Sequence, residues 1–484
     1  MDTLSTAIVT FNCGREEINP KVFSRHLVTA LSVPNIPDLI LVSLQEVAPI
    51  AYAFLGGSSL KPYLDRVRES IDLAGGRFKY VNIISANVGM TALMAFAKED
   101  IAENVQWIET AGVGFGVQEM GNKGAVGLRM GYTVEAGETV EITFVAAHLA
   151  PMEHALERRN EDWKSTVQHL VFTPIPDKKY ARPPPPKLDV SATDEDAPLL
   201  PPSTDCRPTI PTGIYTPKSY LFLAGDLNYR TSLSAPLPLD TTLYPQPTTD
   251  PISIQHYTHL LLKDQLAAQI SLDKTCHGLH EAPITFEPTY KYSDRAREGV
   301  AEKEAGKKRK VREGETEPEQ WGWATHRWPS WCDRILYLPQ PKWMQSKSQI
   351  QIHNYTALPL MSTSDHRPVA LTLSLPLTPI PSPPEDFTGL NEDATDGNAS
   401  GEEAPSGTKV TDVRLSPPYP IDPLWREKRT IARRKEVVVG VGAYIGLTWE
   451  GNGAVLAVML GIVGGWALIW GVIENTGGPG RVAV

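Results

Sequence analysis

The stretch SYLFLAGDLNYR, residues 219–230, joins an apolar run typical of a buried β-strand to an abrupt polar end. The run stops at Asp226 and Asn228, residue types that a packed core rarely holds without a partner. Other apolar runs end in the same way: IVTFN at Asn12, LILVSLQE at Glu46 and FVAAH at His148. Each residue alone would fit a turn or a satisfied core position. Because ligands gather outside the carboxyl ends of strands in α/β sheets, together they predict one site.

The rest of residues 1–375 extends this pattern into one α/β domain. Amphipathic segments typical of helices lie between some of the apolar runs, at 51–73, 152–171 and 253–270. The strand candidates are TAIVTF, DLILVSL, YVNIISA, TALMAFA, GAVGLRM, VEITFVAA, SYLFLAG, RILYL and PVALTLSL.

Three segments interrupt this domain or follow it. Residues 178–218 contain ARPPPPKLD and APLLPPSTD, and residues 293–320 contain KKRKVREGETEPE. We expect both segments to be mobile insertions because their composition cannot support a packed core. Residues 376–424 are rich in Pro, Glu, Asp, Ser and Gly, which predicts a disordered tether.

Residues 437–484 are predicted to form an apolar C-terminal anchor. Within them, residues 454–473 carry no charge and are long enough for a helix to cross a hydrocarbon core of ~30 Å. The strongly basic segment 425–436 predicts that this flank faces the cytosol. Residues 437–449 are too short to span comfortably and could lie at the interface, extend the helix or form half of a hairpin. We expect a tail-anchored chain, and a buried core helix is the alternative.

Charge and cysteine content restrict the class of protein. The formal net charge of −10 argues against broad nucleic-acid binding, which needs an extended basic face. The cysteines, at positions 13, 206, 276 and 332, lie far apart and form no CxxC pair or zinc-type cluster. We therefore expect a catalytic domain in the reducing cytosol.

The residue types at the strand ends indicate metal-assisted phosphate chemistry. Glu46, with Asp365 as a further candidate, supplies the hard oxygen atoms that suit Mg²⁺ or Mn²⁺. Asp226 could orient or deprotonate an attacking water. Side chains that could donate to phosphate oxygens follow the other strands: Asn12, Asn228 and His148.

The stretch PSWCDRILYLP, residues 329–339, has two competing interpretations. Cys332 near Arg334 suggests a cysteine phosphatase, but such enzymes hold the thiolate in a phosphate-binding loop at a helix N-terminus. Here alternation along a strand places Asp333 on one face and Cys332 and Arg334 on the other. We therefore predict that Cys332 packs in the core. Asp333 would instead orient His366 of SDHRPVAL.

These motifs, in this order, resemble the inositol polyphosphate 5-phosphatases of the Mg²⁺-dependent endonuclease/exonuclease/phosphatase superfamily. The resemblance covers residues 6–375. It implies a DNase I-like, four-layer α/β sandwich with two central mixed β-sheets, to which the C-terminal transmembrane helix is added. It also implies direct attack by water, without a phosphoenzyme. The motifs that carry it are TFNCG, LVSLQEV, GNKGAVGLRM, AAHLAPMEHALERRNEDW, AGDLNYR, ITFEPTYKY, PSWCDRILY and SDHRPVAL.

The resemblance also implies a role for each matching residue. Glu46 would bind Mg²⁺ with Asn12 close by, and His366, oriented by Asp333, would stabilise the transition state. The implied catalytic set is Asn12, His148, Asp226, Asn228, Asp333, Asp365 and His366. The implied substrate contacts are Lys123, Arg159 and Asn160 along the phosphate cleft, and Tyr290, Lys291 and Arg334 on the neighbouring 4-phosphate.

The predicted activity is Mg²⁺-dependent removal of the 5-phosphate from phosphatidylinositol 4,5-bisphosphate. The C-terminal anchor is similar to that of fungal 5-phosphatases tethered to the endoplasmic reticulum, so we expect that membrane and a phosphoinositide headgroup as the partner. Two alternatives stay open. One is a nuclease or sphingomyelinase-like phosphodiesterase with the same skeleton, and the other is a catalytically inactive membrane scaffold. The oligomeric state is left open.

Overall fold

Two β-sheets form the centre of the computed structural model, which describes residues 3–32, 34–134, 137–180, 211–306, 321–344, 349–384 and 412–476. In chain order the strands are β1 (Thr3–Asn12), β2 (Leu39–Gln45), β3 (Tyr80–Val88), β4 (Thr91–Lys98), β5 (Val105–Gly114), β6 (Gly124–Thr133), β7 (Thr139–His148), β8 (Thr173–Pro174), β9 (Ser219–Asp226), β10 (His280–Glu281), β11 (Asp333–Tyr337), β12 (Gln351–Ala357) and β13 (Val369–Pro376).

Helices lie outside the sheets and at the C-terminal end of the described chain. In chain order they are α1 (Pro20–Leu31), α2 (Ile50–Leu55), α3 (Lys61–Gly75), α4 (Leu156–His169), α5 (Thr258–Leu261), α6 (Gln265–Ser271), α7 (Asp294–Glu304), α8 (Trp425–Leu447) and α9 (Trp449–Thr476).

Both sheets are mixed. The first has the strand order β12-β13-β1-β2-β4-β3, and the second has the order β10-β11-β9-β7-β6-β5-β8. The pairs β1–β2 and β7–β9 are parallel, and the other neighbours in these sheets are antiparallel. In each parallel pair both carboxyl ends meet at one edge, which is where the predicted site residues stand.

The two sheets pack face to face and bury their strands on both sides. On β1, Ile8 joins a core shared with Phe144 and Phe222 of the second sheet. Three residues later on the same strand, Phe11 joins the opposite core and stacks on Phe23 of α1. Because successive side chains of a strand point to opposite faces, strands buried on both faces become almost continuously apolar.

A third core covers the outer face of the second sheet. Trp163 of α4 and Leu266 of α6 pack there against Val145 and Leu223. The layers are therefore helix, sheet, sheet and helix, and the predicted four-layer sandwich with two mixed sheets is confirmed. The candidate strands named above are also all present.

Elements of the domain that were not predicted from the sequence include helix α1 and strands β5, β8, β10 and β12. The start of α1 carried a usable signal, because Asn19 caps the helix by accepting from the Lys21 N–H, and Pro20 follows at the first helical position. Strand β5 contains Glu109 and two glycines, which weaken its apolar pattern.

The predicted mobile segments are partly ordered. Residues 293–320 begin with α7, where the Ser293 side chain caps the helix by accepting from the Ala296 N–H at 3.2 Å. Residues 211–218 pack on the domain, because Arg129 donates to the carbonyls of Gly213 and Ile214. The other parts of the predicted insertions and tether, 181–210, 307–320 and 385–411, lie outside the described residues.

Residues 412–424, at the end of the predicted tether, also pack against the domain. Arg414 donates to the Pro339 carbonyl, and the Asp422 carboxylate lies 3.0 Å from His169 Nε2 on α4. These polar contacts involve residues that are distant in the sequence. Composition alone therefore gave no sign of them.

The basic segment 425–436 and residues 437–447 form one continuous helix, α8, rather than two separate units. Helix α9 follows after a break at Thr448 and begins five residues before the predicted span. The segment Trp449–Trp470 is long and apolar enough to cross a membrane by length and composition. None of its most apolar stretch is buried within the molecule.

Candidate active site

Strand register brings the polar strand ends into one corner between the sheets. In the second sheet, His148 at the end of β7 faces Asp226 at the end of β9, and Asp226 faces Asp333 at the start of β11. In the first sheet, Asn12 ends β1, and Glu46 follows the last residue of the neighbouring strand β2. Asn12 Nδ2 donates to Asp226 Oδ2 at 2.9 Å and thereby joins the two sheets.

The carboxylate of Asp226 lies at the centre of the site. It is almost fully buried, its Oδ2 lies 3.2 Å from His148 Nε2, and its Oδ1 accepts from the Asn228 N–H at 3.1 Å. Burial alone would raise the pKa of Asp226. The neighbouring His366 and His148 rings outweigh burial and hold this pKa well below its usual range. Asp226 is therefore an ionised carboxylate at neutral pH.

Two residues of the site adopt left-handed backbone conformations. Glu46 has φ 45° and Asn228 has φ 57°. Such conformations cost about 1–3 kcal/mol in non-glycine residues and persist where the surroundings over-determine them. The Asn228 amide is fixed in this way, because its Nδ2 donates to the Leu149 carbonyl at 3.1 Å and its Oδ1 accepts from Arg230.

Glu46, directly after β2, has a partly exposed carboxylate, and two cationic side chains face it. Its Oε2 accepts from Arg15 Nε at 2.8 Å, and its Oε1 lies 3.3 Å from Lys123 Nζ. Burial opposes ionisation, but Lys123, His148 and Arg15 together lower the pKa of Glu46.

Lys123 also lies against the histidine of β7, with 2.5 Å between its Nζ and His148 Nε2. Burial lowers the pKa of Lys123, although Glu46 and Asp226 oppose this shift. Burial and the Lys123 charge lower the pKa of His148, so its ring is neutral at neutral pH.

His366 and Asp333 form the predicted couple. Asp333 Oδ2 accepts from His366 Nδ1 at 2.9 Å and from Thr289 Oγ1 at 2.7 Å. Burial would lower the pKa of His366, but Asp333 and Asp226 raise it to about 9. Burial also raises the pKa of Asp333, against the effect of the His366 ring. His366 is therefore a cation at neutral pH, and its Nε2 lies 3.8 Å from Asp226 Oδ2.

The residues of PTYKY border this couple. The Tyr290 ring lies 4.5 Å from the His366 ring, and the Arg230 guanidinium lies 4.4 Å from the centre of the Tyr290 ring. Lys291 Nζ forms an ion pair with Asp365, and both side chains are about one-quarter exposed. Lys291 and Asp365 therefore stand at the outer, solvent-facing side of the site.

Two groups of side chains are candidates for holding a divalent cation. Ligand atoms of Asp226, Asp333 and His366 lie within 4.8 Å of one another, but His366 is protonated and paired with both acids, so its ring cannot serve as a ligand. Glu46 is more open and already attracts two cationic side chains. The carboxylate oxygens of Glu46, with the amide oxygen of Asn12, therefore fit a hard divalent cation better than the first group does.

Arg334 does not face the site, so its predicted contact with phosphate is wrong. Its guanidinium is fully buried on the opposite face of β11, where it pairs with Asp264 at 2.9 Å and Glu281 at 2.5 Å. Alternation along β11 explains this result, because Asp333 points into the site and the next residue must point away.

Arg159 and Asn160 also have structural contacts in place of the predicted cleft positions. Arg159 is buried and donates to the Met152 carbonyl at 2.7 Å and to Gln265 Oε1 at 2.8 Å. Asn160 donates to Gln269 Oε1 and accepts from the Tyr229 hydroxyl. Arg159 therefore braces the segment that follows β7, and Asn160 connects α4 to α6 and to the segment after β9. Neither presents its side chain to the open part of the site.

Several residues of the site were missed in the sequence, although each lies inside or beside a quoted motif. Arg15 follows TFNCG and binds Glu46, Thr289 of PTYKY binds Asp333, and Ser364 donates to the Asn12 carbonyl at 2.6 Å. Arg230 ends AGDLNYR, and its buried Nη1 has no hydrogen-bond partner among the described residues. An unpaired buried guanidinium nitrogen beside Asp226 is a candidate contact for an anion.

Cys332 is fully buried beneath the site. Its Sγ lies 3.8 Å from the Tyr229 carbonyl, and burial raises the pKa of the thiol well above its ordinary value. A thiol in this state is a weak nucleophile, because the thiolate is the reactive form. The geometry supports a packing role for Cys332.

The two-sheet fold brings carboxylates and histidines together at its strand ends. A family model described as Endonuclease/Exonuclease/phosphatase family 2 matches residues 9–372, so the chain belongs to this family.

Its relatives include 5-phosphatases. The chain is 26% identical over 357 residues to the type II inositol polyphosphate 5-phosphatase 15 of Arabidopsis thaliana, covering 70% of this chain and 29% of the relative. It is also 26% identical over 340 residues to the type II inositol 1,4,5-trisphosphate 5-phosphatase of Mus musculus, covering 69% of this chain and 26% of the relative. The chain thus spans less than a third of the length of these relatives.

A solved structure shows the same fold. The inositol polyphosphate 5-phosphatase domain of SpSynaptojanin, in complex with inositol (1,4)-bisphosphate and a calcium ion, has a TM-score of 0.51 and 22% sequence identity to this chain. The match covers 77% of this chain and 84% of that domain.

Proposed function

We propose that the chain is a Mg²⁺-dependent inositol polyphosphate 5-phosphatase that acts on phosphatidylinositol 4,5-bisphosphate at a membrane surface. The observation that carries the proposal is the position of Asp226. Its buried, ionised carboxylate is joined to Asn12, His148 and the His366–Asp333 couple at one corner. The names of the relatives add support, because they are inositol polyphosphate and inositol trisphosphate 5-phosphatases.

In the proposed mechanism Asp226 accepts a proton from an attacking water, and Asn12 and His148 keep its carboxylate in place. His366 is protonated and places positive charge where the phosphoryl oxygens gain negative charge. Glu46 and Asn12 would hold Mg²⁺, or Mn²⁺, which when bound polarises and neutralises the phosphate.

The headgroup would meet cations around the reacting centre. Lys291, partly exposed and steered by Asp365, is the candidate contact for the phosphate next to the scissile one, with Tyr290 beside it. The exposed Arg15 and the buried Arg230 extend positive charge on other sides of the site. A chain of net negative charge thus concentrates cations where a polyanionic substrate would bind.

Phosphate release by the full chain tests this function. We expect turnover of phosphatidylinositol 4,5-bisphosphate in vesicles with Mg²⁺ and none with a chelator in place of Mg²⁺. Inositol 1,4-bisphosphate, which lacks the 5-phosphate, should not be hydrolysed. Cleavage of phosphodiesters without monoester hydrolysis would instead indicate a nuclease or sphingomyelinase-like enzyme. Absence of turnover on every inositol phosphate would indicate an inactive scaffold.

We further propose that α9 anchors the enzyme in a membrane and that the catalytic domain lies on the cytosolic side. The uncharged core of α9, residues 454–473, is long enough to cross the bilayer of the endoplasmic reticulum, about 27 Å thick. Fluorescence imaging of a tagged chain would test this location, and a plasma-membrane or diffuse cytosolic signal would contradict it.

A further inference from the structure

The C-terminal helix α8 packs directly on the catalytic domain. Gly440 permits the close approach to α2, because a Cβ at this position would lie 3.0 Å from Phe54 Cβ. Arg433 donates to the Phe54 and Leu55 carbonyls at 2.6 and 3.1 Å. These carbonyls end α2, where a cation is favourable because the last carbonyls lack helical partners. Helix α8 is therefore attached to an element that begins four residues after Glu46.

Glu436 is the buried charge of this contact. Its side chain is fully enclosed, and its Oε1 accepts from Arg429 Nη1 at 2.7 Å. Its Oε2 accepts from Arg433 Nη1 at 3.2 Å. The same Oε1 also accepts from the backbone N–H of Gly121 at 3.0 Å. A charged acceptor strengthens such a hydrogen bond, so Glu436 holds a loop of the catalytic domain from the C-terminal helix.

The loop that Glu436 holds carries an active-site residue. Gly121 is followed two residues later by Lys123, whose Nζ contacts Glu46 and His148. On its other side, the Gly121 carbonyl accepts from the Met90 N–H at 2.8 Å. The loop is thus held between the turn before β4 and helix α8, and its position determines where the Lys123 ammonium lies.

We propose that Glu436 is a positioning residue for the active site, acting through Gly121 on Lys123. Helix α8 then helps to position an active-site residue, in addition to connecting the domain to α9. This inference rests on the proposed phosphatase function and names a further determinant of its rate. Small displacements of groups at a reacting centre reduce turnover strongly, so loss of this hydrogen bond affects chemistry more than substrate affinity.

The test compares Glu436→Ala with the wild type as full chains in detergent micelles. Soluble inositol 1,4,5-trisphosphate is the substrate, so delivery to a membrane does not contribute. We expect kcat to fall by about tenfold to a hundredfold, the range for a group misplaced by about 1 Å, while KM changes less. Hydrogen exchange measured by mass spectrometry should become faster in residues 116–124 and stay unchanged in strands β1 and β9.

Lys428→Ala is the matched control. Lys428 lies on the same helix and pairs with Asp422 at 2.8 Å; its charge also attracts Glu119, but the groups that bind Glu436 are Arg429, Arg433 and the Gly121 N–H. We expect this variant to keep the wild-type kcat and loop exchange. An equal loss in Lys428→Ala and Glu436→Ala would overturn the specific role of Glu436. Wild-type kcat and loop exchange in Glu436→Ala would overturn the proposal altogether.

A second variant covers the case in which Glu436→Ala does not fold. Glu436→Asp keeps the charge between Arg429 and Arg433 but withdraws the carboxylate by one methylene from the Gly121 N–H. We expect faster loop exchange and a lower kcat here too, and wild-type values of both would overturn the proposal. Failure of the proposed function is separate, because it would show as an inactive wild type while loop exchange still reports on Glu436.

Discussion

Asp226 has its low pKa because of its neighbours, since burial alone would favour the neutral acid. Two histidines with different charge states surround it. His148 is neutral because it is buried beside Lys123, and His366 is cationic because Asp333 stands behind it. The site therefore holds the Asp226 carboxylate as a base and the His366 ring as a fixed positive charge, within 4 Å of each other.

Replacing the central carboxylate should abolish most turnover without unfolding the chain. Asp226→Asn keeps the shape of the side chain but removes the charge that accepts the proton from water. We expect kcat to fall by about 10²–10⁴-fold, which is the usual contribution of a general base. Phosphate release would be measured beside the thermal unfolding midpoint.

Cys332→Ser is the control for this prediction. It changes a buried group directly below Asp226 that has no proposed part in the reaction. We expect a kcat within a few-fold of the wild type. Loss of all activity in a folded Cys332→Ser protein, or an active Asp226→Asn protein, would contradict the assigned chemistry.

The His366–Asp333 couple predicts a specific pH dependence. The pKa of His366 in the folded protein, about 9, lies above its usual value of about 6.5. The couple therefore stabilises the metal-free fold fully below about pH 6.5, and this contribution is lost as the pH rises through about 9. We expect an NMR titration of the His366 ring to show a midpoint near the raised value.

Denaturant unfolding supplies the matching measurement. The difference in unfolding free energy between the wild type and His366→Gln should shrink between pH 7 and pH 9.5. A His366 titration at or below about pH 6.5 would show that the couple does not hold the proton.

Strand β11 separates two functions on its two faces. Asp333 points into the site, and Arg334 points to the opposite face, where it joins Asp264 at the start of α6 to Glu281 of β10. Asp264 also caps α6 by accepting from the Ala267 N–H at 2.9 Å. The strand therefore connects the chemistry on one side to the packing of the outer layer on the other.

Arg334→Met should destabilise the fold and leave substrate affinity unchanged in the molecules that stay folded. The substitution leaves the carboxylates of Asp264 and Glu281 without their buried partner. Breaking a buried pair on one side costs about 3–5 kcal/mol, measurable as a fall in unfolding free energy.

Lys291→Met is the contrasting variant for this element. Lys291 is partly exposed at the edge of the site, so its loss should raise KM with little change in stability. If Arg334→Met raised KM at unchanged stability, Arg334 would have to face the substrate after all.

In the whole molecule, the contacts of α8 connect the catalytic domain to the candidate span. The Tyr444 ring of α8 lies 6.1 Å from the Tyr52 ring of α2, edge to face. The apolar segment Trp449–Trp470 begins directly after this contact. Because α2 follows Glu46 closely and α8 packs on α2, the candidate span begins near the side of the domain that holds Glu46.

Removing the span should separate membrane delivery from chemistry. A chain that ends at residue 447 keeps α8 and should hydrolyse soluble inositol 1,4,5-trisphosphate at the rate of the full chain. On vesicles containing phosphatidylinositol 4,5-bisphosphate we expect it to be slower by about 10²–10⁴-fold, the usual gain from effective concentration. Equal vesicle rates would show that α9 does not deliver the domain to its substrate.

Most of the site could be predicted because each side chain stands at the end of a strongly apolar strand. Asn12, His148 and Asp226 are the last residues of their strands, so the polar interruption is visible in the sequence itself. Arg334 and Arg159 were misjudged because a charged residue within a motif does not reveal which carboxylate or carbonyl it will meet.

The sequence by itself determined most of the strands, the polar strand ends and the apolar C-terminal helix, because these depend on local periodicity and composition. Tertiary structure alone decided which face of β11 joined the site, which arginines became buried partners, that α8 packs on α2 at Gly440, and that Glu436 holds Gly121. Glu436 and Gly121, for example, lie 315 positions apart in the sequence. Such contacts depend on charge pairing and close packing between distant segments, which no local pattern records.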